Sequence, residues 1–324
     1  MPGVGVTAER PDPLVHDVDL PLAATYHPLG FRVDLATNSR EILAIAAEAW
    51  ERYEPVFDRP PMDLRIVVRG EDPAAVQPSF RSQRHLLSIV SDRENFALLD
   101  LKSLFGYCFV TQKTAADHGL FRWYFLDSMV YRLMEQHYVV PLHAACVAKN
   151  ESGVLLCGPP GAGKSSLAFA CARAGWTYIG DDATWLLQGE SPGLAIGKQH
   201  QVRFRHDAPA LFPELAGCSP RLRTNGKLAI EVSASAFPGI RTASQCRIGH
   251  VAFLERGGTG EPAAIPVSGE EAVSRLMSEL MSYGDEGWAR FENAVRPLAD
   301  VPAWRLRYRD LQDGVGLLAA LAAV

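Results

Sequence analysis

From Gly158 to Ser165 the chain reads Gly-Pro-Pro-Gly-Ala-Gly-Lys-Ser, which fits the pattern G-x-x-x-x-G-K-[ST] of a phosphate-binding loop (P-loop). The residue types suit that chemistry. Glycines let the backbone wrap a phosphate at dihedrals that a Cβ obstructs. Inward N–H groups and the positive end of a following helix then face the anion. Pro159 and Pro160 carry no N–H, so the donors are expected from Gly161, Ala162, Gly163, Lys164, Ser165 and Ser166. Lys164 would reach the β and γ phosphates, and the Ser165 hydroxyl would ligate a metal ion. The expected ligand is ATP with Mg²⁺. A Gly/Pro loop with an incidental lysine is the plain alternative, and the strand before the loop and helix after it argue against that.

Asp181 and Asp182 stand together at the end of the next predicted strand, and His143 precedes the loop in an apolar stretch. Phosphoryl transfer needs charge neutralisation, in-line positioning and a group that orients or deprotonates the acceptor. Two adjacent carboxylates can divide that work, one on the metal and one on an acceptor hydroxyl. Consecutive strand residues point to opposite sides, so the two should differ in task. The order is open. Asp182 is a metal candidate beside Ser165, and both aspartates and His143 are catalytic candidates. His143 could hold a carboxylate or share its proton. Each has a plain reading too: Gly180-Asp181-Asp182 as a solvated turn, His143 as a satisfied core histidine. Glu255 could be a rival metal carboxylate or an exposed strand end. Arg203 and Arg205 alternate with Val202 and Phe204, which reads as one solvated strand face.

The elements that must position these groups follow from periodicity and turn signals. Val139–Ala148 reads as one strand, Asn150 to Gly153 as a turn, Val154–Cys157 as the strand feeding the loop. A helix over Ser165–Ala174 closes on Gly175, and Trp176–Ile179 is a strand that should return beside the loop strand through a right-handed crossover. Ala183–Leu187, Leu194–Gly197, Val202–Phe204, Leu228–Val232, His250–Leu254 and Trp304–Tyr308 read as strands. Glu270–Tyr283, Glu286–Val295 and Leu311–Ala322 read as helices. Upstream, residues 1–25 read as a loose lead-in. Phe31–Leu35 and Leu64–Val68 are strands, Asn38 to Glu41 has the look of a capped helix start for a helix to about Tyr53, and strands are expected near Leu86–Val90, Phe96–Leu101 and Tyr107–Val110. Phe121–His137 is a long helix. The expected division is an α+β domain over 1–135 and a loop-bearing domain over 136–324.

With 324 residues, 48% hydrophobic content and a formal charge of -5, the chain is expected to be globular. Its slight acidity argues against nucleic acid as a main partner. No apolar run is long enough for a membrane span, and the N-terminus lacks a signal-peptide core, so a cytoplasmic location is expected. The six cysteines are scattered without a C-x-x-C pair and read as core thiols. A homo-oligomer is compatible with this sequence.

The stretch from Pro141 to Leu187, PLHAACVAKNESGVLLCGPPGAGKSSLAFACARAGWTYIGDDATWLL, resembles the C-terminal catalytic domain of the HPr kinase/phosphorylase family. The likeness spans about residues 139–188 and, more thinly, 220–256, where RTNGKLAIEVSAS is similar to a basic signature. It leaves residues 1–135 uncovered. The resemblance implies an α/β, P-loop-containing sheet core of the HPr-kinase/PEP-carboxykinase kind and ATP-dependent transfer to a serine hydroxyl of a protein or peptide. It maps His143, Asp181 and Asp182 onto the family's catalytic cluster, and Arg223 and Lys227 loosely onto its basic contacts. Ser166 stands where the family has a glutamate, and Gly226-Lys227 where it has arginine next to asparagine. A P-loop ATPase or nucleotide-dependent regulatory module, or a small-molecule kinase, are the other readings.

Overall fold

The computed structural model describes residues 18–323 apart from 190, 223–225, 227, 258–259 and 279–283. Arg223 and Lys227, and the C-terminal part of the predicted Glu270–Tyr283 helix, lie outside the described residues. The protein is a mixed α/β chain that divides into two compact units, Met1–Val130 and Tyr131–Val324.

The first unit is built on a seven-stranded sheet. In chain order its strands are β1 (Leu22–Tyr26), β2 (Val33–Thr37), β3 (Met62–Val68), β4 (Ser79–Gln83), β5 (Leu86–Val90), β6 (Phe96–Asp100) and β7 (Phe105–Val110), arranged β1-β2-β3-β7-β6-β5-β4. Helix α1 (Arg40–Trp50) buries Ile42, Ile45, Ala46 and Trp50, a stripe at helical spacing. The predicted cap fails. Asn38 instead donates through Nδ2–H to Val68 O (3.0 Å) and accepts from Val68 N–H (2.8 Å), fastening the helix start to β3. Short helices α2 (Gln112–Ala116) and α3 (His118–Phe121) lead through a π turn over Arg122–Leu126 into α4 (Asp127–His137), which carries the chain into the second unit. Strand β1 overlaps the end of the predicted loose lead-in over residues 1–25 and corrects it there, while residues 1–17 of that stretch lie outside the described residues.

The second unit holds ten strands in one sheet and three in another. Its strands are β8 (Val139–Leu142), β9 (Ala145–Lys149), β10 (Ser152–Cys157), β11 (Thr177–Gly180), β12 (Thr184–Leu187), β13 (Leu194–Gly197), β14 (Gln201–Arg205), β15 (Arg221–Leu222), β16 (Leu228–Ser233), β17 (Arg241–Thr242), β18 (Gln245–Arg256), β19 (Ala263–Val267) and β20 (Ala303–Tyr308). Its helices are α5 (Lys164–Arg173), α6 (Gly269–Ser278), α7 (Gly284–Val295) and α8 (Leu311–Leu321). The run Val154-Leu155-Leu156-Cys157 has no polar alternation, and both faces of β10 are buried, as in sheets covered on two sides. Val154 and Leu156 join a core with Leu167, Phe169 and Leu318 of α5 and α8. Leu155 and Cys157 join another with Leu276, Phe291 and Val295 of α6 and α7. Phe169 anchors α5 under the small sheet, edge-on to Phe204, Phe212 and Phe237 at ring-centre distances of 4.8–4.9 Å.

Strand directions place the site. Strand β10 runs parallel to β18 and β18 parallel to β20, while β9 is antiparallel to both β10 and β11. Strands β10, β11, β18 and β20 therefore point the same way, and their carboxyl ends share one edge. The predicted neighbour relation needs correction, because β9 lies between β10 and β11. Asn150 and Glu151 take φ values of 50° and 68° and fold β9 tightly back on β10, as a two-residue hairpin turn with left-handed centre does. That hairpin fills the slot beside β10, so β11 takes the next one. The predicted single strand Val139–Ala148 is also broken. The chain changes partners at His143-Ala144, since β8 lies against β12 and β9 between β10 and β11.

Candidate functional site

The loop leaves the carboxyl end of β10 and enters α5 within six residues, Gly158 to Gly163. Gly158 has φ +151°, and a Cβ there would lie 3.0 Å from the Ala162 Cβ across the loop. Gly163, the residue before α5, has φ +97°, and a Cβ there would lie 2.7 Å from Tyr308 Oη. Side chains at these positions would fill or distort the cradle, so the glycines are needed where they stand.

Donors are distributed more narrowly than expected. The Ala162 N–H is spent inside the loop on Pro159 O (3.1 Å). The first intrahelical bond runs from Leu167 N–H to Gly163 O (2.8 Å). The N–H groups of the preceding first turn, through Ser166, have no acceptor within the helix. Lys164 is buried, and its ammonium donates to Gly158 O at 2.5 Å and Pro159 O at 3.4 Å, bridging the two ends of the loop. A buried ammonium at the mouth of a glycine loop is a favourable contact for a phosphate anion. Tyr308, at the end of β20, donates from Oη to Ala162 O (2.9 Å). Burial pushes its hydroxyl up to about 12, so it stays a neutral donor. Nothing local in the sequence ties Tyr308 to this loop.

The two aspartates after β11 occupy different environments. Asp181 is 6% exposed, and its carboxylate accepts from the Arg203 backbone N–H at 2.8 Å. Burial dominates and pushes it up to about 7, with Asp182 adding to the rise, while the Arg203 N–H and guanidinium and the Tyr178 hydroxyl oppose it. Its backbone carbonyl accepts from Ser165 Oγ–H (3.3 Å), which ties the start of α5 to the end of β11. Asp182 is half-exposed and ion-paired with the Arg203 guanidinium. Arg203 Nε also donates to Glu231 across the small sheet (2.7 Å). The predicted solvated face of β14 is thus corrected for Arg203, whose side chain is 21% exposed and held between two carboxylates.

His143 sits at the corner between β8 and β9, with its side chain 48% exposed, so it is no core histidine. Its Nδ1 lies 3.1 Å from Asp182 O and 4.0 Å from Asp182 Oδ1. A carbonyl oxygen only accepts, so Nδ1 carries the proton. In the neutral ring Nε2 then holds a lone pair. The structure brings His143 and Asp182 together and links Ser165 to Asp181. Among the described residues no group of three His, Cys, Asp or Glu side chains could hold a metal alone. Mg²⁺ is usually held by one or two protein oxygens together with substrate phosphates, and Ser165 Oγ and the Asp182 carboxylate are of that type. Glu255 is engaged with Arg305 at 3.5 Å. Ser166 is half-buried in the first turn of α5.

Among the described residues no helix is long and apolar enough to cross a membrane. All six cysteines are free thiols, five of them buried. No protein-family model matches this chain, and no curated protein does. Among solved structures, the chain is similar to the HPr(Ser) kinase/phosphatase from Coxiella burnetii, at 13% identity and a TM-score of 0.31 over 56% of this chain and 96% of that one. A likeness this slight assigns no activity to the chain.

Proposed function

We propose that the second unit binds ATP with Mg²⁺ in the Gly158–Ser165 loop and transfers a phosphoryl group to a serine hydroxyl of a protein or peptide. The observation that carries this reading is the convergence at one sheet edge of the glycine loop, the His143 corner and the Asp181-Asp182 turn. Ligands of open α/β sheets sit beyond such carboxyl ends. Bound ATP and Mg²⁺ would supply the transferable group and neutralise its charge. The first-turn N–H groups of α5 and the Lys164 ammonium would hold the phosphates. Ser165 Oγ and Asp182 would face the metal. His143 Nε2, with its lone pair fixed by the Nδ1–H bond, can take the acceptor proton. Arg203 holds Asp182 in place beside it. The choice of a serine acceptor rests on the motif resemblance of residues 139–188.

The test is turnover of ATP by the purified protein with and without serine-containing peptides, with phosphoserine sought in the product by mass spectrometry. Acceptor-dependent ADP formation with phosphoserine is the expected result. Turnover indifferent to every acceptor would favour an ATPase or nucleotide-dependent regulatory module instead.

A further inference from the structure

Two guanidinium groups without a task in the reading above approach the loop from different strands. Arg205 ends β14 and Arg256 ends β18. A methyl group built on Gly161 would lie 3.7 Å from Arg205 Nη1, and one on Gly163 would lie 3.6 Å from Arg256 Cδ and 4.0 Å from its Nη1. Both residues are exposed. Among the described residues neither has a hydrogen-bond or ion-pair partner, whereas nearby Arg203, Arg305 and Arg309 each have a carboxylate. Three cations, Lys164, Arg205 and Arg256, therefore gather around one anion cradle at the positive end of α5. Like charges so placed repel one another, and a polyanion relieves the repulsion. Arginine forks also match phosphate oxygens in a way that a point charge does not.

We infer that Arg205 and Arg256 bind the polyphosphate chain of the nucleotide from the solvent side of the loop, while Lys164 and the first-turn N–H groups bind it from within. This rests on the nucleotide reading above and adds to it two contacts directed at phosphate rather than at the base or sugar.

Calorimetric titration of wild type, Arg205→Gln, Arg256→Gln and the double variant with MgATP and with inorganic tripolyphosphate tests this, with thermal melts checking the fold. Each single Gln variant should bind ATP about tenfold more weakly, and the double variant about a hundredfold, from charge-assisted hydrogen bonds of ordinary strength. Tripolyphosphate should lose affinity by the same factors, because the contacts reach only phosphate. Arg→Lys variants, which keep charge and lose the fork, should fall between. Unchanged ATP affinity in a folded double variant, or a loss confined to ATP with tripolyphosphate binding kept, would overturn the assignment. A wild-type protein that binds neither would overturn the nucleotide reading itself.

Discussion

Replacing Asp181 by Asn should stabilise the protein at neutral and alkaline pH. The folded protein raises this carboxyl from 3.8 to about 7, chiefly by burial. The folded state therefore holds a proton that the unfolded chain has lost between those two values. The stability this group contributes is complete below about pH 4 and is lost as pH rises through about 7. At roughly 1.4 kcal/mol per pH unit, the cost of ionising it in the fold reaches about 4 kcal/mol above pH 7. Asparagine keeps an oxygen for the Arg203 N–H and has no charge to bury. Urea denaturation at several pH values, followed by tryptophan fluorescence, should show the variant and wild type close together near pH 4. The gap should then open in the variant's favour across pH 4–7, towards that limit at pH 8. A variant no more stable than wild type at pH 8, or a gap independent of pH, would refute the claim that the carboxylate is buried at a net cost.

Lys164→Ala should weaken MgATP binding by about a hundredfold or more in calorimetry, since it removes the buried ammonium that bridges Gly158 O and Pro159 O; unchanged affinity in a folded variant would dispose of the loop assignment. Tyr308→Phe should lower stability by about 1 kcal/mol through loss of the bond to Ala162 O, seen as a lower urea midpoint, and should weaken ATP binding while leaving acceptor KM alone. Arg203→Gln would leave Asp182 and Glu231 without their shared guanidinium. A fall in kcat of at least tenfold with ATP affinity nearly kept is expected, and a near-normal kcat would show that Asp182 needs no such support.

What could be read in advance follows from the range of the interactions. The loop is local, and its strand, glycines and following helix lie within one stretch, so its shape was legible in residues 154–173. The strand end carrying Asp181-Asp182 was legible as a position. The break at His143 was not, because Val139–Ala148 is apolar apart from His143 itself and reads as one strand. Nor was it legible that the two are neighbours. The hairpin at Asn150-Glu151 places β9 between β10 and β11, and spacing alone does not say which slot a hairpin takes. Alternation put Arg203 and Arg205 on one face of β14, yet it cannot say what that face meets. That depended on β11 ending opposite β14 so that Asp181 could accept from Arg203 N–H. Tyr308 lies too far along the chain for any local pattern to join it to Ala162, and only the parallel pairing of β20 with β18 brings it there. The Asn38 cap failed for a related reason, because a strand N–H and carbonyl at Val68 competed for the same side chain.

The adjacency of two carboxylates becomes intelligible once their surroundings are separated. Asp181 turns inward, and its main chain anchors Ser165 while its side chain meets β14. Asp182 turns outward beside His143, and its charge is matched by Arg203. Had both faced the same space, two anions would repel each other where phosphates must also approach. Burying one until it tends toward neutrality leaves Asp182, already ion-paired with Arg203, as the charged member of the pair. The cationic excess at the loop is therefore preserved for a polyanionic ligand. The cost of the arrangement is carried by Asp181, in an inward position where an amide could replace it without removing the acceptor that Arg203 N–H requires.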